Sequence, residues 1–297
     1  MDLTHFAGLV GNTGPVSIRG LDTRKVNRLQ GVAIDRVVTA PSGVVEYHPD
    51  EMTITCGAGT SLEVLRQVTS ESGQFVALPG SGTVGGALAV GRSGIDRLGV
   101  GPVRDVLLQA TFVNHRGELV DAGGPTVKNV SGFDVARLLV GSFGRLGFMA
   151  RVILRTRPIP EASSWFVTDA DWTRVTELQT TVYRPAALLW NGRRLVVRLD
   201  GHPDDIAASA RRHGLAAVDG PPIDGGDSKH RWSVAPGAVP SVVQAARDTV
   251  WAEVGVGIIH HTERPPHPRT DPNDIELRLL DEFDPERRLN PDVHFPQ

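Results

Sequence analysis

Between Leu78 and Asp105 the chain reads Leu-Pro-Gly-Ser-Gly-Thr-Val-Gly-Gly-Ala-Leu-Ala-Val-Gly-Arg-Ser-Gly, then Ile-Asp-Arg-Leu-Gly-Val-Gly-Pro-Val-Arg-Asp. Glycines this dense, set among small residues with little charge, leave backbone N–H groups uncovered. Without a Cβ in the way a bulky anion can come close, and successive amides line a concavity suited to a diphosphate. The order is neither the strand–Gly-x-Gly-x-x-Gly–helix of a Rossmann unit nor the Gly-Lys-Ser/Thr ending of a P-loop. A second block follows: Ala122-Gly-Gly-Pro-Thr-Val-Lys-Asn-Val-Ser-Gly-Phe-Asp134, then Leu139-Val-Gly-Ser-Phe-Gly-Arg-Leu-Gly-Phe148.

The two blocks together resemble the PCMH-type FAD-binding domain of the vanillyl-alcohol oxidase-like family. Within that family the likeness is to the small flavin subunits of bacterial glycolate oxidase, which show GG-x-VVKNVAGYD and then GS-x-G-x-LG at this separation. The tail from Ile275 to Pro291 is similar to the family's terminal helix and FDP-x-x-x-x-NPG, with Asp292 standing where Gly is usual. The resemblance runs from about Gly14 to Pro291 and is weakest across residues 161–255. It implies an α+β protein: a PCMH-type FAD-binding domain of two α/β subdomains over residues 1–160, and a smaller α+β cap over 161–297. The terminal helix and tail would return to the FAD domain. The double proline in Arg157-Pro158-Ile159-Pro160 marks the boundary.

Family members place a glycine-rich turn after the first strand. Here Arg19, Gly20 and Thr23 match it, while Leu21 and Asp22 replace two glycines. A carboxylate thus stands where backbone would approach phosphates, and like charges at close range cost free energy unless Asp22 turns away. The usual first strand and helix are reduced to Met1–Asn12, which makes the first subdomain smaller.

Elsewhere, residue pattern predicts the elements. Strands are expected at 37–39, 43–48 and 52–56. A helix with Thr60 or Ser61 as N-cap carries Leu62, Leu65 and Val68 on one face through Ser70. A hairpin spans 106–122 about His115-Arg116-Gly117. A helix over 132–140 and a strand over 149–156 complete the first domain. In the second, strands are expected at 187–190, 194–199 and 254–260, with helices at 203–213 and 240–250.

The net charge of −3 gives no footprint for nucleic acid or an anionic membrane. A single cysteine, Cys56, excludes an intrachain disulfide, a CxxC pair and a cysteine-held iron–sulfur cluster, and its flanks read as a buried strand end. No run reaches the ~18 apolar residues of a membrane span, and nothing at the N-terminus marks export, so a cytoplasmic protein is expected. Partners could hold it at the inner face of the membrane.

The resemblance implies a non-covalent FAD, since no His lies in the Arg19–Thr23 turn. Its pyrophosphate site would draw on Arg19, Gly20, Thr23, Pro79, Gly80, Ser81, Gly82, Thr83, Val84, Gly85 and Gly86. Thr83 and the glycines would give a hydroxyl and amides. Ala89, Ser93 and Gly94 would lie against the isoalloxazine, Gly147 and Phe148 at the adenine or ring edge, and Asn129 and Asp134 would anchor the second block. The sequence names no catalytic base. His260 and His261 adjoin on a strand and so point to opposite faces, a poor chelating pair, and no metal is expected. A surface or supporting role suits them better. The function implied is the FAD-binding subunit of a 2-hydroxy-acid, glycolate-type dehydrogenase or oxidase with hydride transfer to flavin. Its partners would be a larger FAD subunit and an iron–sulfur subunit. A flavin-free assembly subunit with the same fold is the alternative, and a stand-alone oxidoreductase a third.

Overall fold

A computed structural model of the chain describes residues 1–23, 28–124, 135–223, 230–246, 250–264 and 273–293. It divides into two units, one of Met1–Ser93, Pro102–Ile159 and Arg269–Gln297, the other of Gly94–Gly101 and Pro160–Pro268. The chain passes from the first unit to the second at residue 160. It also lends residues 94–101 to the second unit and 269–297 to the first, so two boundaries differ from a simple division at 160.

The first unit is built on a five-stranded antiparallel sheet. Its strands run in the order Val44–His48, Thr53–Gly57, Phe148–Arg155, Leu107–Val113, Leu119–Gly123. The Phe148–Arg155 strand is central and joins two hairpins made earlier in the chain. One face packs on the helices Leu62–Ser70, Val84–Val90, Val135–Leu139 and Asp274–Phe283, through Leu62, Leu65, Val84, Leu88, Leu139 and Leu280. Each such leucine, fully buried, contributes about 1.5–3 kcal/mol. A smaller core joins the Leu3–Val10 helix to Val16, Val38, Val113, Phe148 and Leu289. There a two-stranded parallel ribbon, Val16–Ile18 with Arg36–Val38, takes Leu289 as a further parallel bridge.

The second unit is a seven-stranded antiparallel sheet. The order is Ala216–Val218, Ala162–Asp169, Arg194–Gly201, Ala187–Trp190, Trp251–Glu253, Ile258–His261, His230–Ser233. Helices Trp172–Thr181, Pro203–His213 and Val239–Ala245 cover one face through Val175, Leu178, Ile206, Val239 and Trp190. Trp190 donates its indole N–H to Ala170 O at 2.9 Å and packs on Trp172. The Pro203–His213 helix carries its own punctuation: His202 as N-cap, Pro203 first, Asp204 and Asp205 in the first turn. Arg211, Arg212 and His213 close it before a left-handed Gly214. The single strand expected at 254–260 is instead a turn and a strand. Gly255 and Gly257 take φ of +80° and +82°, so Val254–Gly257 reverses the chain between the strands Trp251–Glu253 and Ile258–His261. Among the described residues no helix is long and apolar enough to cross a membrane.

Candidate functional site

Three turns of the first unit are stitched together. Ala58 N donates to Ala150 O and Gly59 N to Pro41 O, which seats the 57–61 turn on the sheet and on the 40–43 turn. The glycine-rich loop is clipped to the same turn: Leu62 N donates to Gly82 O, Val84 N to Thr60 O and Gly85 N to Ala58 O (2.6 Å). Gly85 approaches so closely that a Cβ there would sit 3.0 Å from Ala58. Thr83 caps the Val84–Val90 helix, its Oγ1 accepting from Gly86 N at 3.1 Å. The helix's far end is held by Gly141 N to Leu88 O and Phe143 N to Ala89 O.

These turns surround a cavity of about 580 Å³, within the range of small-molecule sites. Its walls come from Ile18–Thr23, from Thr39, Ala40, Ser42, Ala58 and Gly59, and from Thr83, Gly85, Gly86, Ala89 and Val90. The rest is supplied by Phe143, Gly144 and Gly147–Met149, with Arg28, Asn290 and Val293. All of them belong to the first unit. Small residues on two walls give a slot open to a flat ring, with Phe143, Phe148 and Met149 beside it.

Of the residues singled out from sequence, the cavity gathers Arg19, Gly20, Thr23, Thr83, Gly85, Gly86, Ala89, Gly147 and Phe148. The others stand elsewhere. Val84 is fully buried in the core, and Gly80 O accepts from the Arg66 guanidinium. Pro79, Ser81 and Gly82 do not line the cavity. Ser93 Oγ accepts from Val103 N, and Gly94 belongs to the second unit. Asn129 and Asp134 lie outside the described residues.

The expected chemistry of the glycine loop needs correction. The amides of Val84, Gly85 and Gly86 are all taken by internal acceptors, because the loop folds into a capped helix start. Among the described residues the N–H groups of Gly80, Ser81, Gly82 and Thr83 find no acceptor, but of these four only Thr83 lines the cavity, where its hydroxyl hydrogen is open as well. Uncommitted amides stand in the turn opposite. Arg19 N donates to Val38 O, but among the described residues the N–H groups of Gly20, Leu21, Asp22 and Thr23 find no acceptor. Asp22 is exposed and left-handed, φ +49°, and lines the cavity with Leu21. A Cβ on Gly20 would meet Thr83 Oγ1 at 2.9 Å, so the turn and the helix cap touch.

The tail supplies what residue pattern did not reveal. Asn290 Oδ1 accepts from Ile18 N at 2.8 Å, and its Nδ2 donates to Phe143 O at 2.7 Å, joining two walls. The buried Asp292 accepts from Arg19 Nη2 (3.1 Å), Arg28 Nη1 (2.7 Å) and Ser17 Oγ (3.2 Å). Arg288 donates to Gly14, His115, Val10 and Thr13 carbonyls. Burial pushes the Asp284 carboxyl up despite bonds from Arg288 N and Leu289 N.

In the second unit, the sheet face away from the helices carries Leu189, Val196 and Trp251 with Ile95. Glu253 on the same face is buried; its Oε1 lies 2.8 Å from His260 Nε2 and accepts from Arg231 Nη2 at 3.1 Å. Glu253 Oε2 and Arg231 Nε are buried there without a partner among the described residues. Asp96 stands 3.7 Å from Arg198, and burial pushes its carboxyl up against that cation's pull. Both histidines are buried, because the Ile258–His261 strand is internal to the sheet; of the two roles expected for them, surface or supporting, burial excludes the first. His261 stacks on Trp232, ring centroids 4.3 Å apart. Among the described residues no three metal-ligating side chains cluster.

Residues 13–123 match the family model described as FAD binding domain. The chain is 28% identical to glycolate oxidase subunit GlcE of Escherichia coli, covering 71% of this chain and 63% of that protein. It is 27% identical to glycolate oxidase subunit GlcD of Bacillus subtilis, over 60% of this chain and 40% of that one. It therefore spans less than two thirds of the length of these relatives. Among solved structures it is similar in fold to alkyldihydroxyacetonephosphate synthase. There the TM-score is 0.63 at 13% identity, over 93% of this chain and 71% of that chain.

Proposed function

We propose that this chain, whose residues 13–123 are an FAD binding domain, is the FAD-binding subunit of a 2-hydroxy-acid dehydrogenase of glycolate type. The observation that carries the reading is the cavity itself: four amides uncommitted among the described residues and the Arg19 guanidinium line it together with Ala58, Gly59, Gly85, Gly86 and Ala89. Donors without acceptors suit a diphosphate, and walls without side-chain bulk suit a planar ring system. The residues fit the cofactor with one exception, the Asp22 carboxylate. When bound, FAD supplies the two-electron acceptor for oxidation of a carbinol carbon. The chain's own part is to bind and orient. The 20–23 amides, Arg19 and the Thr83 hydroxyl would hold the diphosphate, and Phe143 and Phe148 would exclude water beside the slot.

The names of the relatives support partnership with a second, larger flavin subunit, and an iron–sulfur protein to carry electrons onward belongs to the same proposal. So do hydride transfer to the flavin and residence in the cytoplasm or at the inner membrane face through partners. A second reading, a flavin-free assembly subunit, is favoured by Asp22, which would face a diphosphate with like charge.

Flavin content separates the two. Protein purified without added cofactor should be yellow, and after removal of flavin it should requench FAD fluorescence at one equivalent. Gly86→Asp, an anion in the cavity wall, should abolish that uptake while the circular dichroism spectrum stays native. Colourless protein that ignores added FAD establishes the second reading in place of the first.

A further inference from the structure

We propose that Asp292 is the positioning residue of the diphosphate turn: its carboxylate, delivered from the far end of the chain, fixes the Arg19 guanidinium against the cavity. This rests on the reading of the cavity as an FAD site.

The geometry is one of shared acceptance. Asp292 Oδ2 takes Arg19 Nη2 and Arg28 Nη1, and Oδ1 takes the hydroxyl of the fully buried Ser17. Arg28 Nη1 also donates to Ser17 Oγ at 3.1 Å, which closes a ring of three side chains round the carboxylate. The tail backbone is fastened beside it, Leu29 N donating to Asp292 O at 2.7 Å and Arg28 bridging to Val293. A carboxylate on a side chain only 6% exposed would be costly to bury alone. Two guanidiniums and a hydroxyl satisfy it, and the set keeps one net positive charge.

Arg28 gives Nη1 to this ring and Nη2 to Ile18 O, though it too lines the cavity. Arg19 differs: its Nη2 is pinned, its backbone is held to Val38, and its Nε–H and Nη1–H have no protein acceptor among the described residues. It lines the cavity with a side chain 29% exposed. An arginine on a free stem surrenders rotamer entropy when it grips an anion, whereas one already held by a carboxylate surrenders little. Asp292 thus acts on the cofactor through Arg19 and does not itself line the cavity.

The test is a double-mutant cycle on FAD affinity, read by fluorescence quenching of the apoprotein, with thermal unfolding measured in parallel. Arg19→Met should weaken FAD binding about tenfold, the loss of one charge-assisted contact. Asp292→Asn should weaken it several-fold in the wild-type background and not at all in Arg19→Met, while lowering the apoprotein midpoint in both, less in Arg19→Met, where one of its partners is already gone. Should Asp292→Asn fail to fold, Ser17→Ala takes its place, with a smaller loss that also vanishes without Arg19. An affinity loss of the same size in both backgrounds, or no loss in either, overturns the proposal and leaves the FAD site standing. Wild-type protein that takes up no FAD overturns both.

Discussion

Cys56 sits in the Thr53–Gly57 strand with its side chain enclosed, and burial pushes its thiol up to about 12. Below pH 9.0, the ordinary value, folded and unfolded chains are both protonated and the residue's contribution is intact. Between about 9 and 12 only the unfolded chain ionises, so stability falls as pH rises through that window. Urea midpoints should therefore drop more steeply with alkaline pH in the wild type than in Cys56→Ala, and thiol reagents should label the native protein only on unfolding. Gly20 is the matching case at the cavity. Gly20→Ala places a methyl against Thr83 Oγ1 and should displace the hydroxyl from Gly86 N. FAD affinity should fall about tenfold, with about 1 kcal/mol lost in chemical denaturation. Sequence marked Gly20 and Thr83 because their residue types stand in a family motif. It could not mark Asn290 as a wall residue or Asp292 as the support behind one, since their partners, Ile18 and Phe143 for Asn290 and Ser17, Arg19 and Arg28 for Asp292, are far away in the chain.

At the scale of elements, local chemistry was the most readable. The Leu62–Ser70 helix begins where Ser61 can cap it, Ser61 Oγ accepting from Val64 N. The Pro203–His213 helix has both ends written in its residues. The Asp274–Phe283 helix has a full capping box, Asn273 Oδ1 accepting from Glu276 N while Glu276 Oε2 accepts from Asn273 N. Asn273→Ala should cost about 1 kcal/mol in urea unfolding and leave FAD affinity unchanged, since this helix meets the core through Leu280 away from the cavity wall. The Val254–Gly257 reversal was not readable. Alternating Val and Gly imitates a strand, and only the positive φ of the two glycines discloses a turn. The same limit held for the glycine-rich loop: density of glycine announced a close approach but not which amides the protein itself would take.

For the whole molecule, the two units, the location of the cavity in the first and the return of the tail follow from long-range pairing. The tail's return was expected from the family resemblance and the boundary near 160 from the double proline, while the loan of Gly94–Gly101 to the second unit had no local signal. The matched domain, residues 13–123, contains both outer hairpin pairs of the first sheet and lacks the Phe148–Arg155 strand between them. Expressed alone, residues 13–123 should show no cooperative thermal transition and take up no FAD. A cooperative transition would mean that the hairpins close a sheet without their central strand.

The parallel bridge between Val16 and Leu289 carries a consequence for biosynthesis. A growing chain has made the 19–23 turn long before residues 289–293, which secure it, are added. The second unit has all its strands by residue 261, whereas the walls of the cavity are joined only when residues 289–293 have been made. A chain cut before residue 289 should therefore keep the second sheet and lose the fastening of the 19–23 turn.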